Sequence, residues 1–352
     1  MKKTLLLRAD GNERIGTGHL MRSLALAQAW FGCGGAAFFA LASPSGAMEG
    51  RLKSEGMKTT VLNAKAGTGD DARKTVALAR RIGASWIVTD GYAFDADYAR
   101  RIRTGGVPLA MIDDNGLLER YEADIVINAN LYAEETSYRN RDGNVRLLLG
   151  GRYALIRGEF QQRRTVRRTF SAKAGRILLT LGGSDPLGLT PAAIRAVRRL
   201  EAQDIEVRVI VGPANPNEKR CREEMCSAPF RGSLISAAKD MAEQMIWADI
   251  AVAASGSTCW EMACLGLPAV LIVTAENQVP IAASLHEAGI AVNLGRPSGT
   301  MEARIAASVR KLLSDPERRK SMSRLGRKCI DGRGAERVVH VLMDGQPEGK
   351  GA

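Results

Sequence analysis

Short apolar runs alternate with longer amphipathic stretches along the whole chain. In the first half, six apolar runs predict β-strands, at residues 4–10, 36–43, 58–64, 85–92, 108–114 and 124–130. Several are almost continuously apolar, as parallel strands are when helices cover both faces of their sheet. After the first run, apolar residues at helical spacing predict one buried helix face: Leu20, Leu24, Ala27 and Phe31. The alternation predicts an α/β fold built on a parallel sheet.

The second half starts the same pattern again. Five further strands are predicted, at residues 176–185, 207–212, 250–256, 268–274 and 290–295, with helices at 190–202, 257–266 and 277–289. We place the boundary near residues 155–172 and predict two doubly wound, Rossmann-like domains, 1–155 and 156–352, facing across a cleft. Ligands of such folds bind beyond the carboxyl ends of the strands, so the cleft is the predicted site.

Composition and charge narrow the class of protein. The 352 residues are 45% hydrophobic and 25% charged, which is typical of a globular protein. No apolar run approaches the roughly 18 residues of a membrane span. The start "MKKTLLLRAD" is interpreted as a first strand rather than a signal peptide. We therefore predict a cytoplasmic protein without stable membrane insertion.

Positive charge is concentrated in one stretch. The formal net charge is +12, and residues 157–176 hold seven Lys and Arg against one Glu. This stretch is either a solvated connector or a surface near anionic partners. Aromatic residues are only 5% of the chain and no nucleic-acid-binding fingerprint is present, so no nucleic-acid partner is predicted. Six cysteines without a CxxC pair and three unclustered histidines predict no metal site and reduced cysteines.

The first candidate motif is "GTGHLMR", at the predicted start of the first helix. Gly16 and Gly18 allow a tight turn and close approach of the backbone to a ligand. The helix start suits a phosphate or a developing anion. Its field favours a neutral His19 that accepts a proton, whereas a nearby diphosphate would favour the protonated form. Because the pattern is short, a histidine that merely caps or packs the helix remains the alternative.

Two acidic motifs end predicted strands. "TDGY" supplies Asp90 and Tyr92, and "IDDN" supplies Asp113 and Asp114. Carboxylates at these positions could orient a histidine or a water. A divalent ion held by the adjacent aspartates is the alternative. Since no further ligands are recognisable, we predict no metal.

Glycine-rich and hydroxyl-rich turns mark the second half. "LGGSD" is similar to a phosphate-approach turn or, alternatively, is a tight strand-to-helix loop; it contributes Gly182, Gly183, Ser184 and Asp185. "ASGSTCWE" offers small donors at a helix start, suited to a diphosphate, and a glutamate one turn later, suited to ribose hydroxyls: Ser255, Gly256, Ser257, Thr258 and Glu261. Its alternative is a capping box. In "TAENQ", Asn277 and Gln278 suit sugar hydroxyls, with helix capping as the alternative for Asn277.

These motifs, in this order, resemble the UDP-2,4-diacetamido-2,4,6-trideoxy-β-L-altropyranose hydrolases of pseudaminic acid biosynthesis. Spore-coat polysaccharide biosynthesis proteins of the same type and, more distantly, MurG-like GT-B glycosyltransferases share the resemblance. It covers most of the chain and is carried by "RADGNERIGTGHLMRSLALA", "IVTDGY", "MIDDN", "DIVINAN", "LLGGRYALIRGEF", "ILLTLGGSDP", "ASGSTCWEMACLGLPAVLI" and "ENQ".

The resemblance implies roles for these residues. A UDP-sugar would be bound mainly by the second domain, and His19 would be the catalytic residue, with Asp90 or Asp114 as its partner. Arg22 and Tyr92 join the substrate-binding set. The implied reaction is metal-independent and cofactor-free hydrolysis that releases UDP and inverts the anomeric carbon. The alternatives are a GT-B glycosyltransferase and a non-catalytic nucleotide-sugar binding protein; the oligomeric state is left open.

Overall fold

The computed structural model describes residues 2–11, 16–43, 46–141, 143–183, 185, 187–201, 204–212, 215–238 and 240–344, apart from the side chains of 135 and 136. Its strands are β1 (Thr4–Ala9), β2 (Ala36–Leu41), β3 (Lys58–Val61), β4 (Ala84–Asp90), β5 (Leu109–Ile112), β6 (Ile125–Asn128), β7 (Arg146–Leu149), β8 (Arg176–Thr180), β9 (Glu206–Val211), β10 (Arg231–Ser236), β11 (Ile250–Ala254), β12 (Ala269–Ile272) and β13 (Ala291–Asn293).

The α-helices alternate with these strands. They are α1 (Gly18–Gly32), α2 (Gly46–Ser54), α3 (Gly69–Arg81), α4 (Ala96–Thr104), α5 (Gly158–Arg163), α6 (Leu189–Arg198), α7 (Glu218–Cys226), α8 (Met241–Trp247), α9 (Thr258–Leu265), α10 (Val279–Glu287), α11 (Met301–Ser314), α12 (Pro316–Cys329) and α13 (Gly334–Asp344). Short 3₁₀ helices occur at Glu135–Tyr138, Gly151–Tyr153 and Glu276–Gln278.

The chain forms two compact units, each with a parallel sheet. Unit 1 comprises residues 1–158 and 332–352, and unit 2 comprises residues 159–331. The sheet of unit 1 has the order β3-β2-β1-β4-β5-β6-β7, and that of unit 2 has the order β10-β9-β8-β11-β12-β13. The prediction of two Rossmann-like domains is confirmed. In both sheets the strand order reverses beside the first strand, which is where doubly wound folds bind ligands.

The domain boundary differs from the prediction at the carboxyl-terminal side. We expected residues 156–352 to form one domain, but α13 packs in the core of unit 1, where Val338, Val339 and Leu342 are fully buried. The indole nitrogen of Trp86 donates to the carbonyl of Leu342 at 2.7 Å. An amphipathic pattern predicts a helix but does not identify the sheet that covers its apolar face. The sequence therefore could not predict that the chain returns to unit 1 at α13.

The apolar face of α1 also differs at its last position. Leu20, Leu24 and Ala27 are buried as predicted, but Phe31 is 57% exposed. Trp30 takes its place in the core, and its indole nitrogen donates to the carbonyl of Lys3 at 3.2 Å. The buried face of α1 therefore runs through positions 20, 24, 27 and 30, and position 31 lies outside it near the end of the helix at Gly32.

The basic stretch is largely part of the scaffold of unit 2. The Arg168 guanidinium donates to the carbonyls of Ala248 at 2.6 Å and Leu265 at 2.9 Å, beyond α8 and at the end of α9. Burial lowers the pKa of Arg168 to about 10. Arg163 forms an ion pair with Asp240 at 2.5 Å. Within the described residues, no helix has the length and apolar character needed to cross a bilayer.

Candidate active site

His19 lies in the first turn of α1, beside the end of β4. Its side chain is nearly buried, and its Nδ1 is 2.7 Å from Oδ1 of Asp90. The edge of the ring meets Tyr92, with centroids 4.7 Å apart and planes at 84°. Nε2 makes no hydrogen bond to the residues that the structure describes. Only one ring nitrogen is therefore fixed by these contacts.

Arg22, one helical turn after His19, holds the same carboxylate. Its Nε donates to Oδ2 of Asp90 and its Nη2 to Oδ1, both at 2.6 Å. The hydroxyl of Ser23 adds a longer bond to Oδ2 at 3.3 Å. Residues spaced three and four apart share one helix face, so α1 presents all three side chains to the last residue of β4.

Asp114 accepts hydrogen bonds from the remaining side-chain nitrogen of Arg22. Nη1 is 2.7 Å from both carboxylate oxygens of Asp114. The amide of Asn130 donates to Oδ1 at 3.2 Å, and the hydroxyl of Tyr92 donates to Oδ2 at 3.3 Å. Asp90 ends β4, and Asp114 and Asn130 follow the neighbouring strands β5 and β6, so the carboxyl edge of the sheet brings the three residues together. We call His19, Arg22, Asp90 and Asp114 the Arg22 cluster.

The charges of the Arg22 cluster are defined by its contacts. Burial opposes ionisation of Asp90, but Arg22 and His19 outweigh it and lower the pKa of Asp90 below its usual value. Burial also opposes the charge of Arg22, yet Asp114 and Asp90 hold the Arg22 pKa well above its usual value. An ionised Asp90 can only accept, so the contact between its Oδ1 and Nδ1 of His19 places a proton on Nδ1.

Asp113 has a different role from its neighbour. Its carboxylate accepts hydrogen bonds from the backbone of Asn115 at 3.0 Å and Gly116 at 3.1 Å, and from the Tyr121 hydroxyl at 2.5 Å. These contacts hold the turn after β5. Among the described residues, no group of three or more His, Cys, Asp and Glu side chains is arranged to hold a metal ion.

A second arginine cluster lies at the carboxyl end of β1. Arg8 donates through Nε and Nη2 to Asp71, both at 2.9 Å, and through Nη1 to Asp10 at 2.7 Å. Asp71 also accepts bonds from the backbone of Gly67 and the hydroxyl of Thr75. Burial opposes the charge of Arg8, but these partners raise the pKa of Arg8 above its usual value. We call Arg8, Asp10 and Asp71 the Arg8 cluster.

In unit 2, the glycine turn follows β8. Gly182 has φ +91°, a conformation that favours glycine, and a Cβ would meet no atom within 4 Å at Gly182 or Gly183. The carbonyl of Gly183 accepts a bond from the backbone of Gly212, where a Cβ would lie only 2.1 Å from that oxygen. This close approach makes Gly212 part of the turn, and the sequence signal for it is a glycine at the last position of the predicted strand 207–212.

Asp185 contacts the scaffold rather than open space. It is buried, and its carboxylate oxygens accept bonds from the backbone N–H groups of Leu189 at 2.9 Å and Thr190 at 2.8 Å. These bonds cap the start of α6 and agree with the alternative of a strand-to-helix loop. Ser184 lies outside the described residues.

The hydroxyl-rich turn after β11 begins α9. Ser255 is buried and its hydroxyl donates to the carbonyl of Ile272 at 3.0 Å, so it ties β11 to β12. Ser257 stands at the cap position of α9 without a side-chain capping bond. Thr258 opens the helix, and Glu261 is nearly buried one turn further along. Because the cap bond from Ser257 is not made, the capping-box alternative does not account for that serine.

Gln278 lies beside this turn. Its Oε1 accepts bonds from the backbone of Thr274 at 2.9 Å and from the Thr274 hydroxyl at 3.0 Å. That orientation leaves the Gln278 Nε2 on the side of Gly256, 3.9 Å from where a Cβ on that glycine would lie. Asn277 precedes it in the 3₁₀ turn Glu276–Gln278. The carboxyl edge of unit 2 thus offers small residues, a hydroxyl and an amide donor at a helix start.

Comparison with known proteins agrees with the division of the chain into two units. Residues 177–331 match the family model of the glycosyltransferase family 28 C-terminal domain. The chain is 29% identical over 233 residues to the spore coat polysaccharide biosynthesis protein SpsG of Bacillus subtilis (strain 168), covering 66% of this chain and 68% of that protein. It is 30% identical over 179 residues to the UDP-N-acetylglucosamine--N-acetylmuramyl-(pentapeptide) pyrophosphoryl-undecaprenol N-acetylglucosamine transferase of Xanthomonas campestris pv. campestris, covering 49% of this chain and 41% of that protein.

Solved structures match over nearly the whole chain. The structure of Acinetobacter baumannii MurG aligns with a TM-score of 0.66 at 16% identity, covering 97% of this chain and 100% of that chain. The S. aureus MnaA-UDP co-structure aligns with a TM-score of 0.66 at 14% identity, covering 100% of both chains. The chain therefore has the fold of GT-B glycosyltransferases such as MurG.

Proposed function

We propose that this protein hydrolyses a UDP-activated sugar and releases UDP and the free sugar. The observation that carries the proposal is the hydrogen bond between Nδ1 of His19 and the buried, ionised Asp90. This bond holds the imidazole in the tautomer whose Nε2 accepts a proton. UDP is already a good leaving group, so the protein must chiefly stabilise the diphosphate and activate one water.

The proposed step uses few groups. Water attacks the anomeric carbon C1, a bond forms between its oxygen and C1, and the bond from C1 to the diphosphate oxygen breaks. The electron pair of the broken bond leaves with UDP, and the proton of water moves to Nε2 of His19. Attack opposite the leaving group inverts C1. The resulting imidazolium faces ionised Asp90, which stabilises it; such a base is typically worth about 10²- to 10⁴-fold in rate.

We assign the UDP portion to unit 2. Ser257 and Thr258 stand at the start of α9, where backbone N–H groups and the helix dipole favour a diphosphate. Glu261 is the proposed acceptor for ribose hydroxyls, and Gln278 is a donor for the sugar. Similarity of residues 177–331 to the glycosyltransferase family 28 C-terminal domain supports this assignment.

We assign the sugar to unit 1, at Tyr92 and His19. Tyr92 is 56% exposed, although its ring packs on His19 and its hydroxyl bonds Asp114. An exposed aromatic ring beside the proposed base suits the apolar face of a sugar. On the resemblance to pseudaminic acid enzymes, the proposed substrate is a 2,4-diacetamido-2,4,6-trideoxy sugar, used for nonulosonic acid or surface polysaccharide synthesis. SpsG, a relative named for spore coat polysaccharide biosynthesis, supports that setting.

The test is hydrolysis in ¹⁸O-labelled water. The protein is incubated with UDP-2,4-diacetamido-2,4,6-trideoxy-β-L-altropyranose or UDP-N-acetylglucosamine, without acceptor or added metal, and the products are followed by NMR and mass spectrometry. We expect ¹⁸O on C1 of one released sugar, with inverted configuration in the first turnover. Label in the β-phosphate of UDP would place the attack on phosphorus and contradict the proposed step.

A glycosyltransferase is the second candidate, because the match at residues 177–331 is to a glycosyltransferase domain. An acceptor hydroxyl would then replace water at the same base. UDP release that requires an added acceptor would support the transferase and overturn the hydrolase. Tight UDP-sugar binding without release under either condition would overturn both in favour of a binding protein.

A further inference from the structure

Arg22 does not have the contacts of a substrate ligand. Each of its three side-chain nitrogens donates to a carboxylate, Nε and Nη2 to Asp90 and Nη1 to Asp114. The side chain is 16% exposed. A guanidinium with one bidentate carboxylate partner, Asp90, and a second carboxylate on its remaining nitrogen, Asp114, is a rigid brace rather than a free phosphate ligand.

We propose that Arg22 and Asp114 are a positioning pair that fixes Asp90 against His19 and sets how readily the imidazole accepts a proton. The inference rests on the proposed role of His19 as the base, and it adds two residues whose effects on that base have opposite signs. Neither residue is required to touch the substrate for this role.

The charges of the Arg22 cluster give the signs of these two effects. Arg22 contributes one positive charge, while Asp90 and Asp114 contribute two negative charges, so the Arg22 cluster has a net charge of −1 when His19 is neutral. Proton uptake by His19 brings the cluster to zero. Without Asp114 the same step would create a net charge of +1. Asp114 therefore favours the imidazolium, and Arg22 opposes it.

Among the described residues, the charged and polar groups that we consider around His19 come from three elements. From α1 come Arg22, with Nη2 3.0 Å from Nδ1, and the positive end of the helix dipole. From the end of β4 come Asp90 and Tyr92. From the turn after β5, Asp114 acts through Arg22. Glu13 and Arg14 precede α1 and lie outside the described residues.

Two single variants should move the titration of His19 in opposite directions. Arg22→Met removes the positive charge and should raise the titration midpoint by about one pH unit, because an opposite or like charge at this range shifts a group by about one to three units. Asp114→Asn removes a more distant negative charge and should lower the midpoint by a smaller amount. Arg22→Lys keeps the charge and should leave the midpoint nearer to the wild type than Arg22→Met does.

The double variant Arg22→Met with Asp114→Asn removes one charge of each sign. We expect its midpoint to return toward the wild-type value. A purely structural role predicts instead that the double variant is at least as disturbed as the worse single variant. Arg73→Met is the matched control, since it removes an exposed arginine paired with Asp70.

The measurement is an NMR titration of the imidazole C2–H resonances in the full chain. The chain has three histidines, His19, His286 and His340. The resonance that is lost in His19→Gln is therefore that of His19. Opposite midpoint shifts support the inference. Equal or same-direction shifts in folded Arg22→Met and Asp114→Asn, or no shift in either, overturn it. If Arg22→Met does not fold, Arg22→Gln, which also removes the positive charge, takes its place with the same expected direction.

Activity separates this inference from the proposed function. With UDP-2,4-diacetamido-2,4,6-trideoxy-β-L-altropyranose, Arg22→Met should lower kcat and move the acidic limb of its pH profile, with little change in KM. A large rise in KM at unchanged kcat would make Arg22 a substrate ligand and overturn the inference. If His19→Gln released UDP at the wild-type rate, the proposed function would fail whatever the NMR midpoints showed.

Discussion

Two arginines in unit 1, the buried Arg8 and the partly exposed Arg22, each bind two aspartates, yet their surroundings differ. The Arg8 cluster is closed, because its two carboxylates also accept hydrogen bonds from backbone N–H groups and a hydroxyl. The Arg22 cluster is open, because its Asp90 also holds an imidazole and its Asp114 also meets an exposed tyrosine. The difference teaches that a buried ion pair does not identify a site; the site is where a titratable group with an available atom joins the network.

The largest expected effect compares one aspartate from each cluster. Asp90→Asn keeps the shape but replaces the ionised acceptor of His19, so we expect kcat for UDP release to fall about 10²- to 10⁴-fold. Asp71→Asn should leave kcat per folded molecule unchanged, since Asp71 bonds only the scaffold and Arg8. Steady-state NMR assays on both purified variants measure this. A comparable loss of kcat in Asp71→Asn would erase the distinction between the clusters.

The next effect is on the free energy of unfolding, and here the larger loss is expected in the Arg8 cluster and the smaller one in the Arg22 cluster. Arg8 is fully buried, so Arg8→Met leaves Asp10 and Asp71 without their partner and should cost about 3–5 kcal/mol in the free energy of unfolding. Arg22→Met should cost less, because the Arg22 cluster is partly exposed to solvent. Urea unfolding followed by circular dichroism compares the two, with exposed Arg73→Met as control. A greater loss for Arg22→Met would contradict the account.

A third comparison sets the Arg22 cluster against the turn after β11. Glu261→Gln should weaken UDP binding about tenfold, because a hydrogen bond to a charged group is worth about 1.5–3 kcal/mol. Ser257→Ala should also weaken it, whereas His19→Gln should leave it unchanged. Isothermal titration calorimetry with UDP alone gives the dissociation constants. Weaker UDP binding in His19→Gln than in Glu261→Gln would reverse the proposed assignment of the two units.

The smallest effect is the pH dependence of stability. Because the pKa of Asp90 is lowered in the folded protein, its contribution to stability is fully present above the unfolded value of about 3.9 and is lost as pH falls through the lower folded value. Asp90→Asn should therefore flatten the loss of stability below about pH 4. Urea midpoints measured between neutral and acidic pH test this, and an unchanged slope in Asp90→Asn would show that Asp90 is not held ionised.

The fold could be predicted wherever strands are buried on both faces. All eleven predicted strands occur, but β7 and β10 were missed. Each lies at an edge of its sheet, and β10 ("RGSLIS") is largely exposed along its length. An exposed edge strand such as β10 needs no continuous apolar run, so periodicity alone does not identify it, whereas β7 ("RLLL") has an apolar run to which we assigned no strand.

The candidate site could be predicted in its parts but not in its connections. The motifs identified His19, Asp90 and Asp114, because polar residues after buried strands collect at the carboxyl edge of a parallel sheet. They did not show that Arg22 joins the two aspartates, or that Ser23 and Asn130 complete the network. Those contacts depend on the rotation of α1 against β4 and on the register of β6, which tertiary packing sets.

The most direct test of the central claim is the rate of UDP release by His19→Gln beside the wild type. Both are assayed by NMR with saturating UDP-2,4-diacetamido-2,4,6-trideoxy-β-L-altropyranose, without acceptor, and their affinities for UDP are measured on the same preparations. The account predicts a loss of about 10²- to 10⁴-fold in rate at unchanged UDP affinity. Release at the wild-type rate by a folded His19→Gln protein would contradict it.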